Sequence, residues 1–343
     1  MNDESTGLSQ KPSGVRILDE QEVRDLIGPA EALEAVREAF ARMGRGETMV
    51  PPAMIIYVPE NKGEVHVKAA HLYHADYYGV KFASIFDDNP LHGLPAVSGM
   101  VLVFSARTGF LTAMLLDNGF LTDLRTGAAG ALACDLLAKK TVEQVAVIGA
   151  GVQGGYQLEA LIGVRQPTSV RIYDRLEANA ARYATEMAQR FGLPVTASGS
   201  VREAVEGSDV VVCTTPSQKA YLEADWVSPG THVTAMGSDN PGKQELSAKL
   251  LARADKLVVD SIEMTSVNGE LHHALEAGLV TTSDVYAELG EIAAGIRPGR
   301  TSDDEITVAD LTGLGIQDTA VANYVMRKAL EGGIGRALEG MTI

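Results

Sequence analysis

The stretch Gly149–Gly154, "GAGVQG", constrains the fold more than any other part of the sequence. It directly follows "VAVI", an apolar run typical of a buried strand, and it opens a segment with helical periodicity. In such a strand–turn–helix unit, glycines let backbone N–H groups and the helix N-terminus approach a pyrophosphate. The motif predicts a dinucleotide-binding turn, and the alternative is a glycine-rich turn without a ligand. The predicted contacts come from Gly149, Ala150, Gly151, Val152, Gln153 and Gly154.

Two further strand ends predict the rest of the dinucleotide site. The strand "RIYD" ends at Asp174, whose carboxylate can accept a hydrogen bond from a ribose 2′-OH and would repel a 2′-phosphate. This favours NAD(H) over NADP(H), although the guanidinium of Arg175 could bind a phosphate instead. Because ligands sit at the carboxyl ends of parallel strands, the strand "VVVCTTPS" is expected to place three residues near the nicotinamide ribose: Thr214, Thr215 and Pro216.

The pattern along the chain predicts an α/β protein with two domains. From "VAVIG" to "KLVVD", short apolar strands alternate with helical segments, which indicates a Rossmann-type parallel sheet covered by helices. Upstream lie extended runs such as "AMIIYV" and "EVHVKAA", a hairpin around Ala106–Gly109, and an Ala-rich helix at about 121–138. These segments predict a second, α+β domain. A length of 343 residues suits two cores.

Composition excludes several classes of partner. A formal charge of −16 argues against a nucleic acid or an anionic membrane. No apolar run approaches the ~18 residues of a membrane span. Residues 1–14 are polar, lack a signal-peptide pattern and are predicted to form a disordered tail. The two cysteines, Cys134 and Cys213, lie in apolar stretches and are expected to be buried free thiols of a cytoplasmic protein.

Three charged residues outside the glycine motif are candidates for chemistry. Alternation in "EVHVKAA" puts Lys68 on one strand face with Glu64 and His66, a face that lines a cleft or is solvated. Arg125 stands in a small, apolar stretch, where it needs either a buried ion pair with an aspartate or a substrate carboxylate. Asp239 stands in "GSDNPG", where it either shapes a turn or exchanges protons.

The histidines give no strong metal signal. His71, His74 and Asp76 in "HLYHAD" fit no strong ligand spacing, and no fourth ligand is evident, so no metal is predicted. His272 and His273 follow "GEL" on a predicted helix and are interpreted as surface or interdomain residues.

Together, these motifs resemble the ornithine cyclodeaminase/μ-crystallin family over about residues 15 to 335. The resemblance rests on "VKAA", "GLPAVSGMVLVFSARTG", "LTDLRTGAAGALA", "VIGAGVQG", "TAMGSDNPGKQEL" and "TGLGIQDTA". It implies a Rossmann NAD-binding domain at 130–310. It also implies a substrate-binding and dimerisation domain formed by 15–129 and 311–343, whose sheet makes a homodimer.

The resemblance also implies roles for single residues. Lys68 contacts an amino acid substrate, Arg125 binds its α-carboxylate, and Asp239 faces the substrate nitrogen as an acid/base group. Gly237 holds that aspartate at a strand end, against the cofactor. Thr312 and Gly313 match a segment that reaches toward the nicotinamide.

Departures from the cyclodeaminase pattern narrow the expected function. Where ornithine cyclodeaminases resemble "EMTxLTAxRTAA", this chain has "LDNGFLTDLRTGAA", which looks more like the family's amino acid dehydrogenases, imine reductases and ectoine-utilisation branch. The predicted function is NAD(H)-dependent oxidoreduction at the Cα–N bond of a small amino or imino acid. The alternatives are a cyclodeaminase with catalytic NAD⁺ and a protein that only binds its ligand. A second substrate carboxylate would need another cation, for which His71, Lys81 and His92 are candidates.

Overall fold

The computed structural model of the protein describes residues 14–338, so the predicted tail lies outside the described residues except for Gly14. The strands are β1 (Val15–Asp19), β2 (Thr48–Met49), β3 (Met54–Val58), β4 (Gly63–Leu72), β5 (Tyr77–Phe86), β6 (Val97–Ser105), β7 (Leu111–Leu116), β8 (Gln144–Ile148), β9 (Ser169–Tyr173), β10 (Val195–Ala197), β11 (Val210–Cys213), β12 (Gln218–Leu222), β13 (His232–Ala235), β14 (Gln244–Leu246), β15 (Lys256–Val259), β16 (Ala287–Glu288), β17 (Thr307–Asp310) and β18 (Arg336–Leu338). The helices are α1 (Glu20–Leu26), α2 (Pro29–Gly44), α3 (Phe120–Leu137), α4 (Val152–Val164), α5 (Glu177–Phe191), α6 (Val201–Val205), α7 (Ala248–Arg253), α8 (Ile262–Asn268), α9 (Glu270–Glu276), α10 (Leu289–Ala293) and α11 (Gly315–Gly332).

The chain separates into two compact units. The first unit contains the described residues up to Ile27, Met49–Thr122, and the described residues from Asp318 on. The second unit contains Gly28–Thr48 and Asp123–Gln317. The domain limits predicted from the sequence stay a prediction.

The second unit is built on a parallel sheet with the strand order β10-β9-β8-β11-β13-β17-β15-β16. Its first five positions reproduce the 3-2-1-4-5 order of doubly wound nucleotide-binding sheets. Apolar side chains are buried on both faces of this sheet, as a parallel sheet between helices requires. The carboxyl ends of β8, β11 and β13 are neighbours, so the loops that follow them lie together. The predicted α/β class with a Rossmann-type sheet is confirmed.

The first unit is built on a mixed sheet with the order β18-β1-β7-β6-β5-β4-β2, and β3 also pairs with β4. The predicted hairpin is the antiparallel pair β6–β7. One face of the sheet is buried within the unit, where Thr319 of α11 donates to the carbonyl of Ala70 at 2.9 Å. The opposite face is apolar and partly exposed, and its most exposed members include Met54, Ile56 and Met100.

The two cysteines are free and buried, as predicted. Burial raises the pKa of Cys134 to about 12, so its thiol stays protonated and unreactive. No helix within residues 14–338 is both long enough and apolar enough to cross a membrane.

Candidate active site

The glycine turn between β8 and α4 has the shape that its motif predicts. Gly149 adopts a φ of +108°, and a Cβ there would lie 2.9 Å from the hydroxyl of Thr214. A Cβ on Gly154 would lie 2.4 Å from the carbonyl of Gly149, so this glycine lets α4 pack closely on the strand. A Cβ on Gly151 would meet nothing within 4 Å, which leaves open space where the motif brings a pyrophosphate. Gly151 is also the N-cap of α4 and makes no side-chain cap.

A cleft of about 460 Å³ lies beside this turn. Its walls include the predicted cofactor residues Gly149, Gly151, Asp174, Arg175, Thr214, Thr215 and Pro216. Asp174 is fixed at the end of β9, because its carboxylate accepts hydrogen bonds from the backbone N–H groups of Ala150 and Leu176, each at 2.9 Å. The cleft, the glycine turn and this anchored carboxylate together fit a dinucleotide.

The remaining residues of the glycine turn are Ala150, Val152 and Gln153. Val152 is the first residue of α4 and is largely exposed. Gln153 donates a hydrogen bond from its side-chain amide to the carboxylate of Asp123 at 2.6 Å, and Asp123 lies on α3. The turn is thereby tied to the helix that also carries Arg125.

A buried carboxylate to which the sequence motifs assigned no role ties the neighbouring loops together. Glu245 on β14 is fully buried and accepts hydrogen bonds from the backbone N–H and the hydroxyl of Thr215, from the hydroxyl of Tyr221 and from the backbone N–H of Gly237. These bonds span 2.6–2.8 Å. Burial raises the pKa of Glu245, and the hydrogen bonds oppose that effect. Glu245 therefore fixes the loops after β11 and β13 with respect to each other.

Two more buried acids support this arrangement. Glu270 accepts the backbone N–H groups of Glu245 and Leu246 at 2.8 and 3.0 Å. Burial, with help from the nearby Asp310, raises the pKa of Glu270 to about 9. Burial likewise raises the pKa of Asp310 to about 7. Glu270 is thus a structural support for β14.

Asp239 lies in the loop that follows β13, and a quarter of its side chain is exposed. Its carboxylate forms an ion pair with Lys243 at 2.7 Å. The Asx-type bond within this loop comes from Asn240, which accepts the backbone N–H of Gly242 at 2.9 Å. Gly237 cannot carry a side chain, because a Cβ there would lie 2.1 Å from the carbonyl of Thr215. Asp239 therefore stands in a tightly anchored loop at the carboxyl end of the parallel sheet.

Arg125 is buried in the second unit and is oriented by residues that follow β17. Its Nη1 donates to Oε1 of Gln317 at 2.6 Å. Gly313 has a φ of +81°, and a Cβ there would lie 2.7 Å from the same nitrogen. Asp260 holds this turn by accepting the hydroxyl of Thr312 at 3.2 Å and the N–H of Gly313 at 2.7 Å. Arg125, Thr312 and Gly313, which the sequence analysis selected separately, are therefore neighbours.

Lys68 belongs to the first unit and lies on its buried sheet face. The predicted alternation is confirmed, since Glu64, His66 and Lys68 share that face, and His66 lies 3.1 Å from Glu64. Lys68 is directly opposite Lys81 in the β4–β5 register, and the two side chains are only 8% and 2% exposed. A buried pair of like charges is costly without nearby acids.

An aspartate in the same unit supplies part of that compensation. Asp117 is buried, and burial raises its pKa to about 6. Asp318 raises this pKa further, whereas the attraction of Lys81 lowers it. The first unit therefore buries cations and acids that interact with one another, as sites for charged ligands often do.

The chain matches the model of the ornithine cyclodeaminase/mu-crystallin family over residues 15–333. It belongs to this family. The alanine dehydrogenase of Archaeoglobus fulgidus is 41% identical over 325 residues, which cover 94% of this chain and 98% of that protein. The family membership expected from the sequence motifs is confirmed.

Solved structures agree with the fold over nearly the whole chain. The Thermococcus litoralis Δ1-pyrroline-2-carboxylate reductase, in complex with NADH and L-proline, superposes with a TM-score of 0.90 at 32% identity and covers 94% of this chain and 100% of its own. An archaeal alanine dehydrogenase dimer with bound NAD superposes with a TM-score of 0.88 at 39% identity, with 95% and 99% covered. Both relatives hold the cofactor that the glycine motif predicts for this chain.

Proposed function

We propose that the protein is an NAD(H)-dependent oxidoreductase that acts on the Cα–N bond of a small amino or imino acid. The observation that carries this proposal is the position of Arg125. Its buried guanidinium is oriented by Gln317 and Gly313 and lies in the same unit as the dinucleotide cleft. A guanidinium fixed in this way suits bidentate binding of a carboxylate. Membership of the family and its NAD-bound relatives support the same reading.

The proposed mechanism assigns one task to each charged residue. Bound NADH supplies a hydride for an imine carbon. Arg125 holds the substrate carboxylate, which orients Cα. The substrate contact expected of Lys68 stays a prediction. Asp239 takes a proton from solvent and passes it to the substrate nitrogen, and Lys243 stabilises the carboxylate that the transfer leaves on Asp239. Reduction of the imine to the amine then balances as one hydride and one proton.

The cofactor preference follows from the second strand. Asp174 is anchored by two backbone N–H groups and faces the cleft, so it stays in place to accept a ribose hydroxyl. We therefore propose NAD(H) as the cofactor. Arg175, whose guanidinium could bind a 2′-phosphate, also lines the cleft. Each assay is therefore repeated with NADPH.

The assay that tests the proposal distinguishes a reductase, a cyclodeaminase and a protein that only binds its cofactor. Purified protein with NADH is given pyruvate plus ammonia, or Δ1-pyrroline-2-carboxylate, and the loss of NADH absorbance is followed. Net oxidation of NADH is the expected result. Ammonia release from ornithine with catalytic NAD⁺ and no net absorbance change would assign a cyclodeaminase. Cofactor binding without either turnover would contradict the enzyme proposal.

We also propose that two copies associate through the apolar face of the mixed sheet. Met54, Ile56 and Met100 are 56%, 48% and 36% exposed on this face. Exposed apolar patches mark interfaces, and the archaeal alanine dehydrogenase is a dimer. Light scattering is expected to give the mass of a dimer and, for Ile56→Asp combined with Met100→Asp, that of a monomer; a monomeric unmodified protein would contradict it.

A cytoplasmic location is likewise proposed from the two free, buried thiols.

A further inference from the structure

We propose that His272, His273 and Glu276 on α9 form a binding site for a divalent transition-metal ion such as Zn²⁺. One nitrogen from each imidazole and one oxygen of the carboxylate lie within 4.8 Å of one another. Imidazole nitrogen and carboxylate oxygen are the ligands that Zn²⁺ accepts at about 2.0–2.2 Å. This site is separate from the dinucleotide cleft and does not depend on the proposed function.

A backbone carbonyl lies against one ring nitrogen of each imidazole and selects its tautomer. Nδ1 of His272 lies 3.2 Å from the carbonyl oxygen of Ser266, and Nε2 of His273 lies 2.8 Å from that of Lys243. A carbonyl oxygen only accepts, so each of these nitrogens carries a hydrogen, and in the neutral ring the other nitrogen has the lone pair. Histidines that bind metals commonly donate their other N–H group to a backbone carbonyl in this manner.

The remaining nitrogen of His272 faces an acid. Its Nε2 lies 3.6 Å from Oε1 of Glu276. In the neutral ring both atoms are acceptors, so the contact favours a cation between them. The side chain of Glu276 is 67% exposed, so its carboxylate is accessible to an ion from solvent.

The site is linked to the loop that carries Asp239. The Lys243 carbonyl that accepts from His273 also accepts the hydroxyl of Ser238 at 2.6 Å, and the Lys243 ammonium pairs with Asp239. A metal on the other nitrogen of His273 withdraws electron density from the ring and strengthens its N–H donor. Metal binding is therefore expected to tighten residues 237–243.

Calorimetric titration of the full chain with Zn²⁺ tests the site. One ion per chain is expected for the unmodified protein and for His92→Ala, a control at an exposed histidine outside the cluster. His272→Ala and Glu276→Ala are each expected to weaken binding by more than about tenfold. Thermal melting of each variant without metal verifies that it folds. Absence of binding to the unmodified protein, or equal binding to all four proteins, would overturn the site; the latter outcome would leave only adventitious surface binding.

Hydrogen–deuterium exchange of the same proteins tests the link. Zn²⁺ is expected to slow exchange in residues 237–243 of the unmodified protein and of His92→Ala, but not of His272→Ala. If Zn²⁺ binds at the cluster and exchange in this segment does not change, the link to the Asp239 loop is wrong.

Discussion

The glycine turn at 149–154 and the loop at 237–245 both follow strands of the parallel sheet, yet they take their shapes from different sources. The first is shaped by its own glycines, through the φ of Gly149 and the close approach of Gly154 to the strand. The second is shaped by a buried side chain, since Glu245 binds Gly237 of the same loop and Thr215 of another. A loop that presents backbone to a ligand can be specified locally, whereas a loop that presents one carboxylate needs tertiary anchors.

Removing the carboxylate from the anchored loop is expected to have the largest effect. Asp239→Asn keeps the size of the side chain but cannot deliver a proton, so turnover should fall by about 10²- to 10⁴-fold. The glycine turn is untouched, so the Kd of NADH, measured by fluorescence, should stay the same. Equal losses of NADH binding and turnover would remove the acid/base role of Asp239.

A third loop combines both kinds of specification, because Gly313 has a positive φ and also faces Arg125. Gly313→Ala should displace the guanidinium and raise the KM for the carboxylate substrate on the order of tenfold to a hundredfold. Steady-state kinetics of this variant and of Gly278→Ala measure the effect; Gly278 also has a positive φ, and a Cβ there would meet nothing within 4 Å. A similar change in KM for both variants would show that backbone strain alone is responsible.

The glycine turn can be tested without disturbing the fold. Because a Cβ on Gly151 would meet nothing within 4 Å, Gly151→Ala should keep the melting temperature of the unmodified protein. Its methyl group would occupy the space proposed for the pyrophosphate and should raise the Kd of NADH by about tenfold. Unchanged NADH binding would place the cofactor elsewhere.

The anchor of the second loop has the opposite signature. Glu245→Gln replaces one acceptor with an N–H₂ group that faces N–H and O–H donors, so it should lower the free energy of unfolding by about 2–3 kcal/mol. It should also lower kcat more than it raises the KM for NADH, because it loosens the loop of Asp239. Glu245→Asp, which keeps the acceptors, should recover part of kcat; a loss of stability with unchanged kcat would limit Glu245 to a structural role.

The smallest expected effect concerns the buried charges of the first unit. The pKa of Asp117 is about 6 in the folded protein, compared with an ordinary value of 3.8, so folding favours the protonated carboxyl. The contribution of Asp117 to stability is therefore complete below about pH 3.8 and is lost as the pH rises through about 6. The side chain of Asp117→Asn does not titrate. Between about pH 4 and pH 7, the free energy of unfolding of this variant should therefore fall by roughly 1–2 kcal/mol less than that of the unmodified protein. Urea unfolding at both pH values measures this difference, and parallel pH profiles of the two proteins would contradict it.

Much of the site was predictable because its residues stand at strand ends in recognisable motifs. The glycine turn, Asp174 and the face of Lys68 follow from periodicity and position. The partners of these residues were not predictable. Gln317 lies 192 residues after Arg125 in the sequence. Glu245 lies on a strand of three residues, which is too short for its pattern to reveal burial. Their roles arise from hydrogen bonds between segments that are distant in sequence.

The sequence by itself determined the α/β class, the family, and the turn that suits a dinucleotide. These properties depend on local patterns: glycines where the backbone must bend or approach closely, and apolar runs at the period of a strand. Only the tertiary structure decided that Arg125 meets Gln317 and Gly313, that Lys68 faces Lys81, and that Glu245 holds two loops. The physical reason is that a buried charge must find its partners wherever folding brings them, and burial makes those contacts strong.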